Sequence, residues 1–227
     1  GKQIEGSCKS IYSNKEHRTI NGVNIVSLNY TDTHSTFQLD FSLRINDSRR
    51  REVGDFTHAV HYKSNAHKRR IEGLDGKNSI ALNMVNRALN QGVEADYLLV
   101  DSWYAKPDFI AQAGELGMPV IARIANNVRI WNFKGNHKTL DALHTACQSQ
   151  HRIHRGHYGK IHYTYFDAIV EHTKLGKVKL VFLRTHKERL VFISTHCSLS
   201  GMEIIDIYKK RWNIEQGYKD LREYFGF

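Results

Sequence analysis

The sequence predicts an α/β protein: a mixed sheet with flanking helices, and a β-rich insertion ahead of a final helix. Three observations carry that expectation. An apolar run at Ala95 to Val100, a helix-like stretch from Pro107 to Leu116 closed by Gly117, and a second apolar run at Pro119 to Ile124 follow one another directly. Two runs of alternating character, Asn21 to Thr31 and Thr36 to Ile45, flank a turn at Asp32 to Ser35. The proline-free stretch from Ser200 to Phe225 has helical periodicity.

Each element has a local reason. The alternating runs read as an antiparallel hairpin. Asp47 to Gly76 is polar and loop-like, with Arg49, Arg50 and Arg51 and later Lys68, Arg69 and Arg70. Lys77 to Gln91 carries Ile80, Met84, Val85 and Leu89 at helical spacing and stops at Gly92. The strand, helix, strand order from Ala95 to Ile124 implies a parallel pair with a right-handed crossover. Beyond Ala125, the stretches Val128 to Phe133, Lys160 to Val170, Val178 to Arg184 and Leu190 to Thr195 are strand-like, with one helix near Leu140 to Gln148. Ser200 and Glu203 have the form of a capping box for the last helix. The division expected is a core over 1–124, an insertion over 125–198 and the final helix over 199–227.

Charge narrows the partners. The chain has 33 Lys+Arg against 23 Asp+Glu, with 14 His and a pI near 9.5, a balance suited to a polyanion, nucleic acid first. No long apolar run, signal peptide or basic amphipathic helix points to a membrane. Cys8, Cys147 and Cys197 are far apart and odd in number, so a reducing, cytoplasmic setting is expected. At 227 residues and 41% hydrophobic, the chain suffices for one core with an inserted subdomain.

The final helix holds the most chemistry. Tyr208, Arg211, Glu215 and Arg222 would fall within roughly 60° of one another, a stripe about 21 Å long. Two cations flanking a carboxylate can hold a metal ion and grip phosphates beside it; the plainer alternative is an Arg211–Glu215 salt bridge on a surface helix. Asp101 directly follows the run Tyr97 to Val100, where open α/β sheets place ligands, or it is a turn or N-cap acid beside Ser102. The segment His151 to Tyr158, with Arg152 and Arg155 among three histidines, reads as a basic phosphate-contact loop. Zinc there with Cys147 lacks a paired-ligand spacing.

These residues resemble a family. Tyr208-Lys-Lys-Arg211-Trp-Asn-Ile-Glu215, with Arg222 seven residues on, is similar to the Tyr-x2-Arg-x3-Glu-x6-Lys signature of DDE-type transposases of bacterial insertion sequences. Leu98-Leu-Val-Asp101-Ser-Trp-Tyr104 resembles their second catalytic aspartate, and Asn21 to Asp32 the strand that follows the first. The resemblance implies an RNase H-like core in which carboxylates hold two Mg²⁺ ions, with Mn²⁺ able to substitute. Asp101 and Glu215 would be catalytic and metal-binding residues, and Tyr208, Arg211 and Arg222 would contact DNA. It implies Mg-dependent strand cleavage and strand transfer, transposon-end and target DNA as partners, a homodimer in the synaptic complex and a bacterial, nucleoid-associated location. An RNase H-like nuclease without strand transfer and a catalytically dead DNA-binding remnant are the alternatives.

Two departures accompany the resemblance. Arg222 stands where the family has lysine, a planar fork in place of a point charge. The family's first aspartate belongs on a strand upstream of Asn21, and that distance runs off the start of the chain; Asp32 and Asp40 fall in the following hairpin. With Gly1 first and Phe227 last, the chain reads as an internal piece or truncated copy, expected to be inactive alone.

Overall fold

In the computed structural model, which describes residues 8–13, 17–22, 24–32, 34–44, 61–125, 131–133 and 136–225, the chain divides between Val93 and Glu94 into two units. Arg49, Arg50 and Arg51 lie outside the described residues.

The first unit begins with two antiparallel hairpins, β1 (Cys8–Ser13) with β2 (Arg18–Gly22) and β3 (Asn24–Thr31) with β4 (Thr36–Arg44). Asn21 and Gly22, expected in the same strand as Asn24, belong to β2, where Gly22 pairs with Cys8. The turn at Asp32 to Ser35 is held by the Asp32 carboxylate, whose Oδ1 accepts from the backbone N–H groups of His34 and Ser35, both at 2.7 Å.

The stretch expected as a loop up to Gly76 instead contains helix α1 (Asn65–Glu72), N-capped by Ser64, whose Oγ accepts from His67 N at 3.2 Å. Its run of Lys68, Arg69 and Arg70 favours helix intrinsically. Its fixed point is polar: Arg69 bonds Asp40 at 2.7 Å and Glu72 at 3.0 Å. Helix α2 (Lys77–Asn90) buries Ile80 and Met84 against Val26 of β3, each such side chain contributing about 2 kcal/mol. Arg87 of α2 completes the ionic network, reaching Asp40 at 2.8 Å and Glu72 at 2.6 Å.

The second unit is built on a six-stranded sheet. Strand β5 (Leu98–Val100) runs into helix α3 (Pro107–Glu115) and then β6 (Val120–Ile124), and the two strands pair in parallel. Pro107 opens α3, where its missing N–H is harmless. Gly117 after it has φ +79°, a left-handed conformation that a side chain would strain.

A small hairpin, β7 (Trp131–Phe133) with β8 (Asn136–Lys138), leads to helix α4 (Leu140–Gln148). Four antiparallel strands follow: β9 (His154–Tyr158), β10 (Ile161–His172), β11 (Gly176–Thr185) and β12 (Arg189–Ser194). The loop expected at His151 to Tyr158 is thus largely strand, turned back by Gly159 at φ +53° in a two-residue connection.

The sheet order is β5-β6-β12-β11-β10-β9. The sheet runs unbroken across position 125, because β12 pairs with β6, Ile193 opposite Ala122. Alternation gives it two faces. One carries Leu99, Ile121, Phe192, Val181, Leu183 and Tyr163, which pack with Ile204 and Ile205 of helix α5 (Gly201–Lys209). The opposite face carries Phe166 and Phe182 against His144 of α4.

The final helix is not continuous. Helix α5 and helix α6 (Asn213–Phe225) are joined by a 3₁₀ turn at Lys210–Trp212. This mixed sheet with flanking helices is consistent with an RNase H-like fold.

Candidate functional site

Local chemistry sets α5 first. Ser200 Oγ accepts from Glu203 N at 3.3 Å while the Glu203 carboxylate accepts from Ser200 N at 2.7 Å, the reciprocal capping box that the sequence predicts. The helix start is fixed there. Ile204 and Ile205 then press α5 onto the sheet, and Tyr208, one turn on, lies against Phe192 with ring centroids 4.8 Å apart.

Over the three residues of the 3₁₀ turn, the tighter winding adds about 60° relative to an α-helix. The stripe nonetheless assembles. Arg211 Nη2 donates to Glu215 Oε1 at 2.8 Å, and the Arg211 guanidinium lies 5.6 Å from the centre of the Tyr208 ring, within cation–π range. Arg211 is only 17% exposed, and its Nε is buried without an acceptor among the described residues. A buried donor left without a partner is a cost that the fold leaves uncompensated there. Arg222 continues along α6, but its side chain lies outside the described residues.

Asp101 sits directly beyond β5. Its Oδ1 accepts from Trp103 N at 2.9 Å, so the turn-acid geometry is present. Its charge also reaches the stripe. Burial pushes the Tyr208 phenol above its ordinary pKa; Arg211 and Arg123 oppose that shift, and Asp101 reinforces it. Burial works against the Arg211 charge, yet the Glu215 hydrogen bond and the fields of Tyr208, Glu215 and Asp101 together raise its pKa. Two sheet neighbours meet here, Asp101 after β5 and Arg123 on β6, the latter 3.8 Å from Glu188. Arg123 was not singled out from sequence; its signal was a cation within the apolar run that follows Asp101.

The structure thus brings Tyr208, Arg211 and Glu215 together and places Asp101 close enough to act on two of them. Asp101 and Glu215 are hard oxygen donors of the kind Mg²⁺ or Mn²⁺ takes. Among the described residues, no group of three His, Cys, Asp or Glu side chains gathers as a metal site. Asp32 and Asp40 are accounted for elsewhere, in a turn and in an ionic network. His151 Nδ1 bonds the Cys147 carbonyl at 2.8 Å. No described helix is long and apolar enough to cross a membrane.

No curated protein matches the chain. Residues 1–162, more than two thirds of its length, match the family described as DDE superfamily endonuclease, a family that typically uses a divalent metal and acts on DNA. The mixed sheet with flanking helices is consistent with this match, and the chain belongs to the DDE superfamily endonucleases.

Proposed function

We propose that this chain supplies catalytic-core residues for the metal-dependent DNA strand cleavage and strand transfer of a transposase of bacterial insertion sequences. Asp101 and Glu215 serve as catalytic carboxylates, and Tyr208, Arg211 and Arg222 as DNA contacts. The observation that carries the reading is the convergence of the α5–α6 segment on the end of β5: Glu215 is held by Arg211, which lies over Tyr208 and within the field of Asp101. A surface salt bridge alone would not require the carboxylate after a parallel strand to share that spot.

Asp101 and Glu215 would hold the divalent ion, which when bound supplies Lewis acidity at the scissile phosphate. The remaining work falls to the chain's own groups. Arg211 fixes the Glu215 carboxylate through Nη2 and brings its charge to the DNA backbone. The Tyr208 phenol, held protonated by burial, donates to the same backbone. Arg222, two turns beyond Glu215, extends the contact along the strand. The transposon ends and target DNA are the substrates, joined in a homodimeric complex.

The experiment is plasmid nicking and 3′-end joining by the complete gene product, with Mg²⁺ or Mn²⁺, beside Asp101→Asn and Glu215→Gln. The expected result is nicking and joining that require the ion and vanish in both variants while DNA binding persists. Nicking without joining would make the protein a nuclease, and metal-independent binding without nicking a DNA-binding remnant; either outcome overturns the proposal.

A further inference from the structure

On the sheet face opposite the Tyr208 site, one row of side chains crosses four strands. Thr164 of β10 pairs with Arg155 of β9 on one side and with Arg184 of β11 on the other, and Arg184 pairs with Arg189 of β12. Directly paired residues of antiparallel strands share a face. Three arginines and a threonine therefore stand in line, at about 4.8 Å per strand, placing Arg155 roughly 10 Å from Arg184.

Such a row is unfavourable by itself. Like charges directly opposite one another, as at Arg184 and Arg189, destabilise a sheet. One carboxylate meets the row: Asp141 of α4 pairs with Arg189. Arg155 and Arg184 are exposed and have no carboxylate partner among the described residues. An external anion would relieve the repulsion that the fold leaves in place.

Beside the row is a cleft of about 100 Å³, lined by His144, Gln148, Ile153, Phe166, Arg184 and Arg189. His144 sits edge-on to Phe182 at 5.4 Å and tilted on Phe166 at 5.2 Å. Burial, and then the charge of Arg189, hold the imidazole below its usual pKa, so it presents a neutral ring. Gly156 keeps the edge strand flush: a Cβ there would lie 2.6 Å from the Tyr163 ring on the other face, and displacing β9 would carry Arg155 out of line. A cationic track beside a small aromatic recess is the combination that binds unpaired nucleic acid, phosphates on the track and a base in the recess.

We infer that this face is a second DNA-contact site, in which Arg155 and Arg184 take phosphates of a single strand, beside an Arg189 already matched by Asp141, and the cleft admits one unpaired base. The inference rests on the DNA reading of the Tyr208 site but places the contact on the far side of the sheet, with different residues.

The test is fluorescence anisotropy with labelled oligothymidylate and with a duplex, in EDTA, so that cleavage plays no part. Arg155→Gln/Arg184→Gln is expected to weaken oligothymidylate binding on the order of tenfold at low salt. It should also lower the slope of log affinity against log salt by roughly 1.4, about 0.7 per phosphate contact on a single strand. Arg155→Lys/Arg184→Lys should keep most of the slope, and unchanged thermal melting of all variants should show that they fold. Affinity and slope unchanged in the glutamine variant would make the row a solvated surface and overturn the inference. An equal loss on the duplex would overturn its assignment to a single strand. Because the readout is binding without metal, a failure to cleave DNA refutes the proposed activity alone, and a silent glutamine variant refutes this site alone.

Discussion

Arg211 donates to Glu215 across one turn, 2.8 Å from Nη2 to Oε1, although a 3₁₀ turn separates the helices on which Tyr208 and Glu215 lie. A long side chain absorbs the change in winding. An exposed i,i+4 pair contributes only about 0.3–0.5 kcal/mol, so stability alone gives little reason to keep Arg211 17% exposed over a tyrosine ring.

Arg211→Ala should therefore separate two readouts. Stability should fall by less than about 1 kcal/mol, while duplex affinity should fall severalfold and the salt slope should drop by roughly 0.9, one phosphate contact. Urea unfolding and salt-titrated anisotropy measure the two. A stability loss with the salt slope unchanged would leave Arg211 as a structural partner of Glu215.

Ser200→Ala should act at a distance through the helix start. It removes the Oγ half of the capping box, and with it the Oγ hydrogen bond to Glu203, while the Ser200 N–H still donates to the Glu203 carboxylate; the loss costs about 1 kcal/mol and lowers Tm by roughly 3 °C. Calorimetry checks this, and Ser200→Asp, which caps equally well, should restore the loss. A serine variant that melts with the parent would mean that Ile204 and Ile205 alone set α5.

These examples show which parts of the fold were legible. The capping box, the helix stops at Gly92 and Gly117 and the Asp32 turn are decided within a few residues, and local chemistry announces them. Helix α1 was missed because its holding contacts are remote and ionic: Glu72 is anchored by Arg87, and the same Arg87 anchors Asp40, 47 residues away. Polar composition between Asp47 and Gly76 looks like a loop when the partner is not in view. Sheet order was hidden for the same reason, since the pairing of Ile121 with Ser194 joins segments with α4 and five strands between them. At the candidate site, the spacing from Tyr208 to Glu215 was visible, but the place of Asp101 beside it depends on β5 and β6 meeting the last helix.

Arg222 follows Glu215 by seven residues on α6, so the two positions lie within about 20° of one another around the helix axis. Arg222→Lys should keep most strand cleavage by the complete gene product, and Arg222→Ala should reduce it severalfold, because phosphate contact needs the charge first and the planar fork second. Gel-resolved cleavage rates decide it. An alanine variant as fast as the parent would remove Arg222 from the DNA contacts.

The ionic network of the first unit gives a pH dependence whose sign is determined. Burial tends to raise the Asp40 pKa, but hydrogen bonds from Arg87 and then Arg69, with their charges, outweigh it and hold the carboxyl below its ordinary value. A group whose folded pKa is depressed adds stability above its unfolded pKa of about 4 and loses that contribution as pH falls through the folded value. The first unit should therefore loosen below about pH 4. Arg87→Ala, which strips two largely buried carboxylates of a partner, should cost about 2 kcal/mol at neutral pH, discounted from a fully buried pair because Arg87 is itself 35% exposed. Asp40→Asn should lower neutral stability and flatten the acid limb. Hydrogen exchange of the α2 amides between about pH 3 and 7 reads this directly. Parallel acid limbs in the parent and the asparagine variant would show that Asp40 is not the group whose protonation loosens the unit.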